Sequence, residues 1–261
     1  KVICQTNTTG EVVWEKSFDD VEIHSLLLHP TRNLLMVGTN QGSVITVDLA
    51  SRQTLNTFIT THAVCRCLAL LPSGKLAVSG NDSRISIWDL DSGAQEKLFP
   101  VNQGRIWDLQ INPEGGCIFS AGDDGSIKCW DTRTYKLLRT LSHHTFKVWK
   151  MTISEDGNLL AAVSDDQSIS VWNVESGKLE AIYKGHTDSI MSVAFNNAGK
   201  YLITGAADKT IRLWDISQRQ EFTLEILPSS PLRFVEQGPE DSIVIASETS
   251  LEVYSSLGDL V

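Results

Sequence analysis

The sequence has no long apolar run. Stretches such as Cys67–Leu71 and Leu159–Val163 are among the longest, far short of the roughly 18 residues that cross a bilayer as a helix. No transmembrane helix is expected. Positive charge is sparse: 22 Lys and Arg stand against 32 Asp and Glu, a net charge of −10. That balance argues against broad binding to nucleic acid or to an anionic membrane surface. The 5 cysteines are odd in number and show no paired spacing, so they do not read as a disulfide framework. A reducing compartment, cytoplasm or nucleus, is the expected setting. The phosphate-cradling patterns GxxxxGK[ST] and GxGxxG are missing, and no set of Cys and His recurs at zinc-ligand spacing. No cofactor, metal or small-molecule substrate is expected. There is no initiating Met, since the chain opens on Lys1 and its first Met is Met36, and no signal-peptide pattern follows. These features read as a piece of a longer chain. What is plentiful is apolar residue, 41% of 261 positions, enough for a core and too much for disorder.

The strongest signal is internal repetition. Trp88, Trp130, Trp172 and Trp214 stand 42 residues apart, and each ends a short alternating stretch: RISIW, SIKCW, SISVW and TIRLW. A period of this length belongs to propeller arrays. Weaker anchors at Cys4, Val47 and Tyr254 continue the register. Within one period, Ile190–Phe195, Tyr201–Thr204, a stretch ending at Trp214 and another near Glu221–Leu227 read as strands. Turns at Asn196–Gly199 and around Asp208 separate them. Alternation, β-branched residues and Gly, Asp and Asn turns agree on antiparallel sheet. No long amphipathic helix is found.

These residues resemble the WD-repeat family. The resemblance rests on Gly185-His186, Asp208 and Trp214-Asp215, on Trp88-Asp89 and Trp130-Asp131, and on Trp172-Asn173. It implies an all-β propeller of four-stranded blades whose usual work is to hold other proteins. The expectation is one domain over residues 1–261, with repeats near 1–18 (partial), 19–59, 60–99, 100–141, 142–184, 185–225 and 226–261. Seven blades with part of one missing is the preferred count, and six the alternative.

His186, Thr204 and Asp208 could be mistaken for a base, a nucleophile and an orienting acid. The resemblance makes them a structural chain with Trp214: indole N–H to hydroxyl, hydroxyl to imidazole, imidazole to carboxylate. The repeat at Trp172 has His144 and Asp166 but Ala162 where the hydroxyl is expected. The repeat at Trp130 has Ser120 and Asp124 but Asn102 where the His is expected. The paired acids Asp123-Asp124 and Asp165-Asp166 read as turn caps. Cys65 and Cys67 read as core or half-buried residues. The matches to the glycosylation sequon at Asn7 and Asn81 read as chance.

Two features point to partners. Trp130-Asp131-Thr132-Arg133 is similar to the box of WD-repeat substrate receptors in cullin–RING ubiquitin ligases, where the Asp and the Arg contact the adaptor. That makes Asp131 and Arg133 candidate adaptor-docking residues and a ligase recognition module the alternative function. The second feature is the second step of each first strand: His24, Arg66, Trp107, Trp149, Met191 and Arg233. Arg105 and Lys147 lie two residues before the tryptophans. In the family these positions ring the channel mouth. The resulting expectation is a non-catalytic scaffold that binds an extended protein segment there, acidic or phosphorylated, through aromatic and cationic side chains.

Overall fold

The computed structural model describes the backbone at residues 2–5, 12–18, 21–196, 199–218, 220–224, 232–237, 243–247 and 251–254. It describes side chains at 15–18, 21–196 and 199–218. The expected extension of a strand to Leu227 and the side chain of Arg233 lie outside the described residues.

Every regular element among them is a β-strand, and each sheet is an antiparallel meander in chain order. The first unit, Lys1–Asn102, begins with a two-stranded sheet of β1 (Val2–Gln5) and β2 (Val12–Lys16). Sheet I follows with β3 (Ile23–Leu28), β4 (Leu34–Thr39), β5 (Ser43–Asp48) and β6 (Thr54–Ile59). Sheet II holds β7 (Cys67–Leu70), β8 (Lys75–Ser79), β9 (Arg84–Asp89) and β10 (Gln95–Pro100). The second unit, Gln103–Val261, begins with sheet III: β11 (Ile106–Ile111), β12 (Cys117–Gly122), β13 (Ser126–Asp131) and β14 (Leu137–Ser142). Sheet IV holds β15 (Val148–Ile153), β16 (Leu159–Ser164), β17 (Ser168–Asn173) and β18 (Leu179–Lys184). Sheet V holds β19 (Ile190–Phe195), β20 (Tyr201–Ala206), β21 (Ile211–Asp215) and β22 (Gln220–Leu224). A three-stranded sheet of β23 (Leu232–Gln237), β24 (Ile243–Ser247) and β25 (Leu251–Tyr254) comes last. This is the all-β, four-strand architecture of a WD-repeat propeller.

The sequence period is a register period. Leu76 faces Trp88, Ile118 faces Trp130, Leu160 faces Trp172 and Leu202 faces Trp214, each across the second and third strands of its sheet. All four indoles are buried, at 2–6% exposure. Alternation aims successive residues at opposite faces of a sheet, and here both faces are covered. Ala161, Val163, Ile169 and Val171 of sheet IV pack with Tyr183 and with Trp214 of sheet V. Leu160, Ala162 and Trp172 pack instead with Phe119, Ile127 and Cys129 of sheet III. In sheet II, Trp88 packs with Met36 and Val44 of sheet I and stacks on Phe58, ring centroids 5.1 Å apart. Within each unit the core is therefore a series of layers between consecutive sheets. Polar clamps reinforce it. The buried Asp108 carboxylate on β11 accepts the Met151 N–H of β15 at 2.8 Å and pairs with Lys150 at 3.2 Å.

The turn between second and third strands repeats too. Ser83, Gly125, Gln167 and Lys209, each 42 residues from the next, all have positive φ, between 58° and 74°. Three of them carry side chains, so backbone conformation alone does not require glycine at 125. Close approach does: a Cβ on Gly125 would lie 2.6 Å from the His144 carbonyl oxygen and 2.8 Å from that of Phe146. Gly125→Ala is therefore expected to lose about 1–3 kcal/mol, the scale of local backbone strain. Gln167→Gly, in the same backbone state, should stay within about 1 kcal/mol of the parent. Denaturant midpoints of the two variants check the contrast.

Candidate functional site

The residues that suggest catalysis form a closed chain. In sheet V the Trp214 indole N–H donates to the Thr204 hydroxyl at 2.9 Å, the hydroxyl meets His186 Nε2 at 2.8 Å, and His186 Nδ1 meets Asp208 at 2.8 Å. Thr204 is fully buried and His186 4% exposed. With one hydrogen per bond, the hydroxyl donates to Nε2 and Nδ1–H donates to the carboxylate. No open position remains for a substrate between base and hydroxyl.

Sheet IV makes the same chain despite Ala162. The hydroxyl comes from Ser170, two residues before the tryptophan on the same strand: Trp172 donates to it at 2.8 Å and His144 Nε2 meets it at 2.7 Å. His144 Nδ1 then reaches Asp166 at 3.0 Å. The reading that this repeat lacks its hydroxyl is thereby corrected. Sheet II holds a third chain that sequence reasoning missed: Trp88 to Ser86 at 2.7 Å, Ser86 to His62 at 2.8 Å, His62 to Asp82 at 2.7 Å. Its signal was masked because His62 and Asp82 are 20 residues apart, against 22 for the other two pairs. In sheet III the imidazole position belongs to Gln103, not Asn102. Trp130 donates to Ser120 at 2.9 Å, Ser120 donates to the Gln103 carbonyl, and the Gln103 amide donates to the Ser126 carbonyl at 2.8 Å.

Burial opposes ionisation of Asp208, but bonds from Thr210, the Thr187 N–H and His186 outweigh it and hold the carboxyl below the usual carboxylate range. Asp166 behaves likewise: burial is outweighed by His144, Ser168 and the Thr145 N–H. Asp82 is lowered through His62 and Arg84 against its burial.

A second recurring arrangement starts from the same turn. The first strands of sheets I, III, IV and V carry a β-bulge at their second residue. Ile106 pairs with Gly122 and Asp108 with Ala121, so the register shifts at Trp107. Trp149, Met191 and His24 are set off in the same way. A bulge breaks the alternation and re-aims one side chain. Ile106 and Val148 stay fully buried, while Trp107 and Trp149 are half-buried.

Each of the two re-aimed indoles meets the residue that precedes the turn acid. Trp107 Nε1 donates to Asp123 at 2.6 Å and Trp149 Nε1 to Asp165 at 2.5 Å. In sheet II, Arg66 Nε donates to Asn81 at 2.6 Å. The Asp123 carboxylate also accepts the Arg105 N–H at 3.0 Å. The two indoles touch, ring centroids 4.4 Å apart at 59°. Lys147 lays its ammonium 4.1 Å from the Trp149 ring centroid, 5.6 Å from that of Trp107 and 3.2 Å from Asp165. Arg105 is exposed beside them, as is Phe146 at 62%. Phe146 was missed by sequence reasoning, although it is an aromatic directly before Lys147.

In the second unit the structure thus gathers Arg105, Trp107, Lys147 and Trp149. In the first unit His24 lies near Arg66, and partial burial together with that charge pushes its imidazole below the ordinary value. Met191 sits half-buried in its bulge. At the ligase-like box, Asp131 is engaged in its own turn: it accepts the Thr134 N–H at 2.6 Å, the Thr134 hydroxyl at 2.7 Å and the Arg133 N–H at 3.1 Å. The Arg133 side chain is exposed. Asp124 and Asp166 cap their turns by accepting the N–H groups of Ser126 and Ser168. Cys65 and Cys67 are buried. Among the described residues no cluster of His, Cys, Asp or Glu could hold a metal ion.

A family model described as "WD domain, G-beta repeat" matches residues 52–89, 94–131, 135–173 and 177–215, well over half of the chain. Each matched stretch ends one residue past a repeat tryptophan. The chain is also similar to "NACHT domain- and WD repeat-containing protein 1" of Mus musculus, 28% identical over 95 residues, which is 33% of this chain. It spans 6% of the length of that relative.

His186→Ala should cost about 1–3 kcal/mol, the scale of a buried polar group left unpaired. The acid response has a definite sign. Asp166 and Asp208 have lower folded than unfolded values, so their contribution is complete above the unfolded value of about 4 and fades as pH falls through the folded values. Asp166→Asn should lower the melting midpoint at pH 7 and flatten its decline below pH 4. Melting curves between pH 2 and pH 7 test both, and an unchanged acid slope would remove the carboxylate from the account.

Proposed function

The chain belongs to the WD domain, G-beta repeat family, and from that premise we propose that it is a non-catalytic scaffold that holds a protein partner at the bulged ends of its first strands. WD-repeat propellers are protein-interaction scaffolds, and a rigid aromatic surface suits such a scaffold. The observation that carries the reading is the Trp107–Trp149 pair: half-buried, in mutual contact, each indole N–H tied to its own aspartate. Pinned aromatics lose little freedom on binding, and Trp is prominent among residues that dominate interface energy. The partner is an extended segment with an apolar residue against the indoles and Phe146. An acidic or phosphorylated residue on that segment has Arg105 to meet. Met191 is proposed to extend this surface within the second unit, Arg233 holds the matching position in the sequence, and in the first unit His24 and Arg66 hold the equivalent repeat positions. A cytoplasmic or nuclear setting belongs to the proposal, on the odd number and the spacing of the 5 cysteines. A ubiquitin-ligase adaptor is the alternative partner, with exposed Arg133 as its contact.

The test is affinity capture with the parent chain and titration calorimetry of the captured partner against folded variants. Trp107→Ala and Trp149→Ala should each cost about 2 kcal/mol or more. Arg105→Glu should act mainly on association rate and its salt dependence. Unchanged affinity in all three would move the interface elsewhere. Loss confined to Arg133→Ala, with an adaptor in the captured set, would select the ligase alternative.

A further inference from the structure

The faces of the two indoles already show what they accommodate, because the Lys147 ammonium lies over both. We propose that these faces take a basic side chain of the partner segment, arginine foremost, in the place that Lys147 holds in the free protein. This rests on the partner site proposed above and names the chemistry at its centre.

Both indole N–H groups are turned toward carboxylates. What the pair offers a ligand is therefore ring face, and a ring face attracts a cation. Behind the rings stand Asp123 and Asp165. Asp165 accepts Trp149 on one oxygen and pairs with Lys147 on the other, at 2.5 Å and 3.2 Å. The ammonium is thus set against two aromatic faces and one carboxylate. An anion in that position would face the same two rings and two carboxylates. The wider field has the same sign, because the chain carries a net charge of −10, and a field of that sign concentrates basic segments near the surface.

Lys147 is a weak occupant. Its side chain is 31% exposed and that of Asp165 24%, so solvent screens the pair. A guanidinium can lie flat on an indole and direct two N–H groups at one carboxylate, which an ammonium cannot do. The internal lysine acts as a competitor: only molecules in which it has swung out are competent to bind, and apparent affinity falls by that fraction. Once displaced, Lys147 stands at the rim beside exposed Phe146 and can pair with an acidic neighbour on the same segment.

The experiment selects a random peptide library on the parent chain and counter-selects it on Trp149→Ala. Asp165→Asn serves instead if the first variant fails to fold. The selected peptides are expected to share one Arg or Lys position, and to lose binding when that position is changed to Gln. They should bind Lys147→Ala about tenfold more tightly than the parent and Asp165→Asn at least tenfold more weakly. Indole Nε1–H resonances of Trp107 and Trp149 should shift on titration with such a peptide. Peptides that need both indoles yet share no basic residue, with or without a shared acidic one, would overturn this inference and leave the partner site standing. Peptides that bind the parent and Trp149→Ala equally, or no enrichment at all, would overturn the site and the inference with it.

Discussion

An indole N–H taken out of water has to meet an acceptor, and four indoles of this chain are taken almost completely out of water. Burying a Trp removes roughly 150–250 Å2 from solvent, a gross gain of about 4–6 kcal/mol. An unsatisfied N–H would cancel about 1–3 kcal/mol of that. The acceptor in each case is a hydroxyl, and the hydroxyl in turn needs an acceptor for its own hydrogen. In sheets II, IV and V that demand runs on to an imidazole and ends on an aspartate in the turn. The result joins three parts of the sheet that share no backbone ladder: the third strand, the segment before the first strand, and the turn between second and third. What recurs is the oxygen within reach of the indole. Its sequence position varies, since Thr204 lies on the second strand of its sheet whereas Ser170 and Ser86 lie on the tryptophan's own strand.

The turn that ends this chain also begins the surface arrangement. Asp166 takes His144 while its neighbour Asp165 takes Trp149. In sheet III, Asp124 holds Ser126 while Asp123 takes Trp107. Adjacent residues of one tight turn thereby serve the interior and the exterior at once. The bulge supplies the other half, because without it Trp149 would follow the alternation of β15 and could not reach the turn. The surface indoles are therefore held by the structure that the core indoles require, which makes the proposed binding position rigid without being fully buried.

The 42-residue tryptophan spacing made the sheets legible, because burial and register act on every second residue and leave a pattern in the string. The chain from Trp214 to Asp208 was legible through the family resemblance. Its counterparts were not, for a physical reason. A hydrogen bond is decided by where an oxygen lies in space. Ser170 substitutes for the hydroxyl absent at 162 because residues two apart on a strand share a face. Gln103 substitutes for a His because its amide both accepts and donates. His62 was hidden by a segment two residues shorter. The bulges leave no trace in an alternation that reads smoothly through Ile106, Trp107 and Asp108. The second role of the turn acids was invisible as well, since Asp123 and Asp165 satisfy the ordinary expectation for a turn.

On the proposed surface, charge would separate affinity from selection. Counted singly, Arg105 and Lys147 suggest a basic patch on an acidic protein. Counted with Asp123 and Asp165, the patch is close to neutral, and Lys147 is bound to one of those acids at 3.2 Å. Local charge of that kind contributes little attraction of its own, because the gain from a new ion pair is offset by the loss of the old one. Most of the binding energy then has to come from ring surface that is already fixed in place. The charges decide which side chain can approach that surface without leaving a carboxylate unpaired, and discrimination by an unpaired group is stronger than attraction by a paired one. A partner held at the proposed site would therefore be chosen by what the rings and their two aspartates will not tolerate.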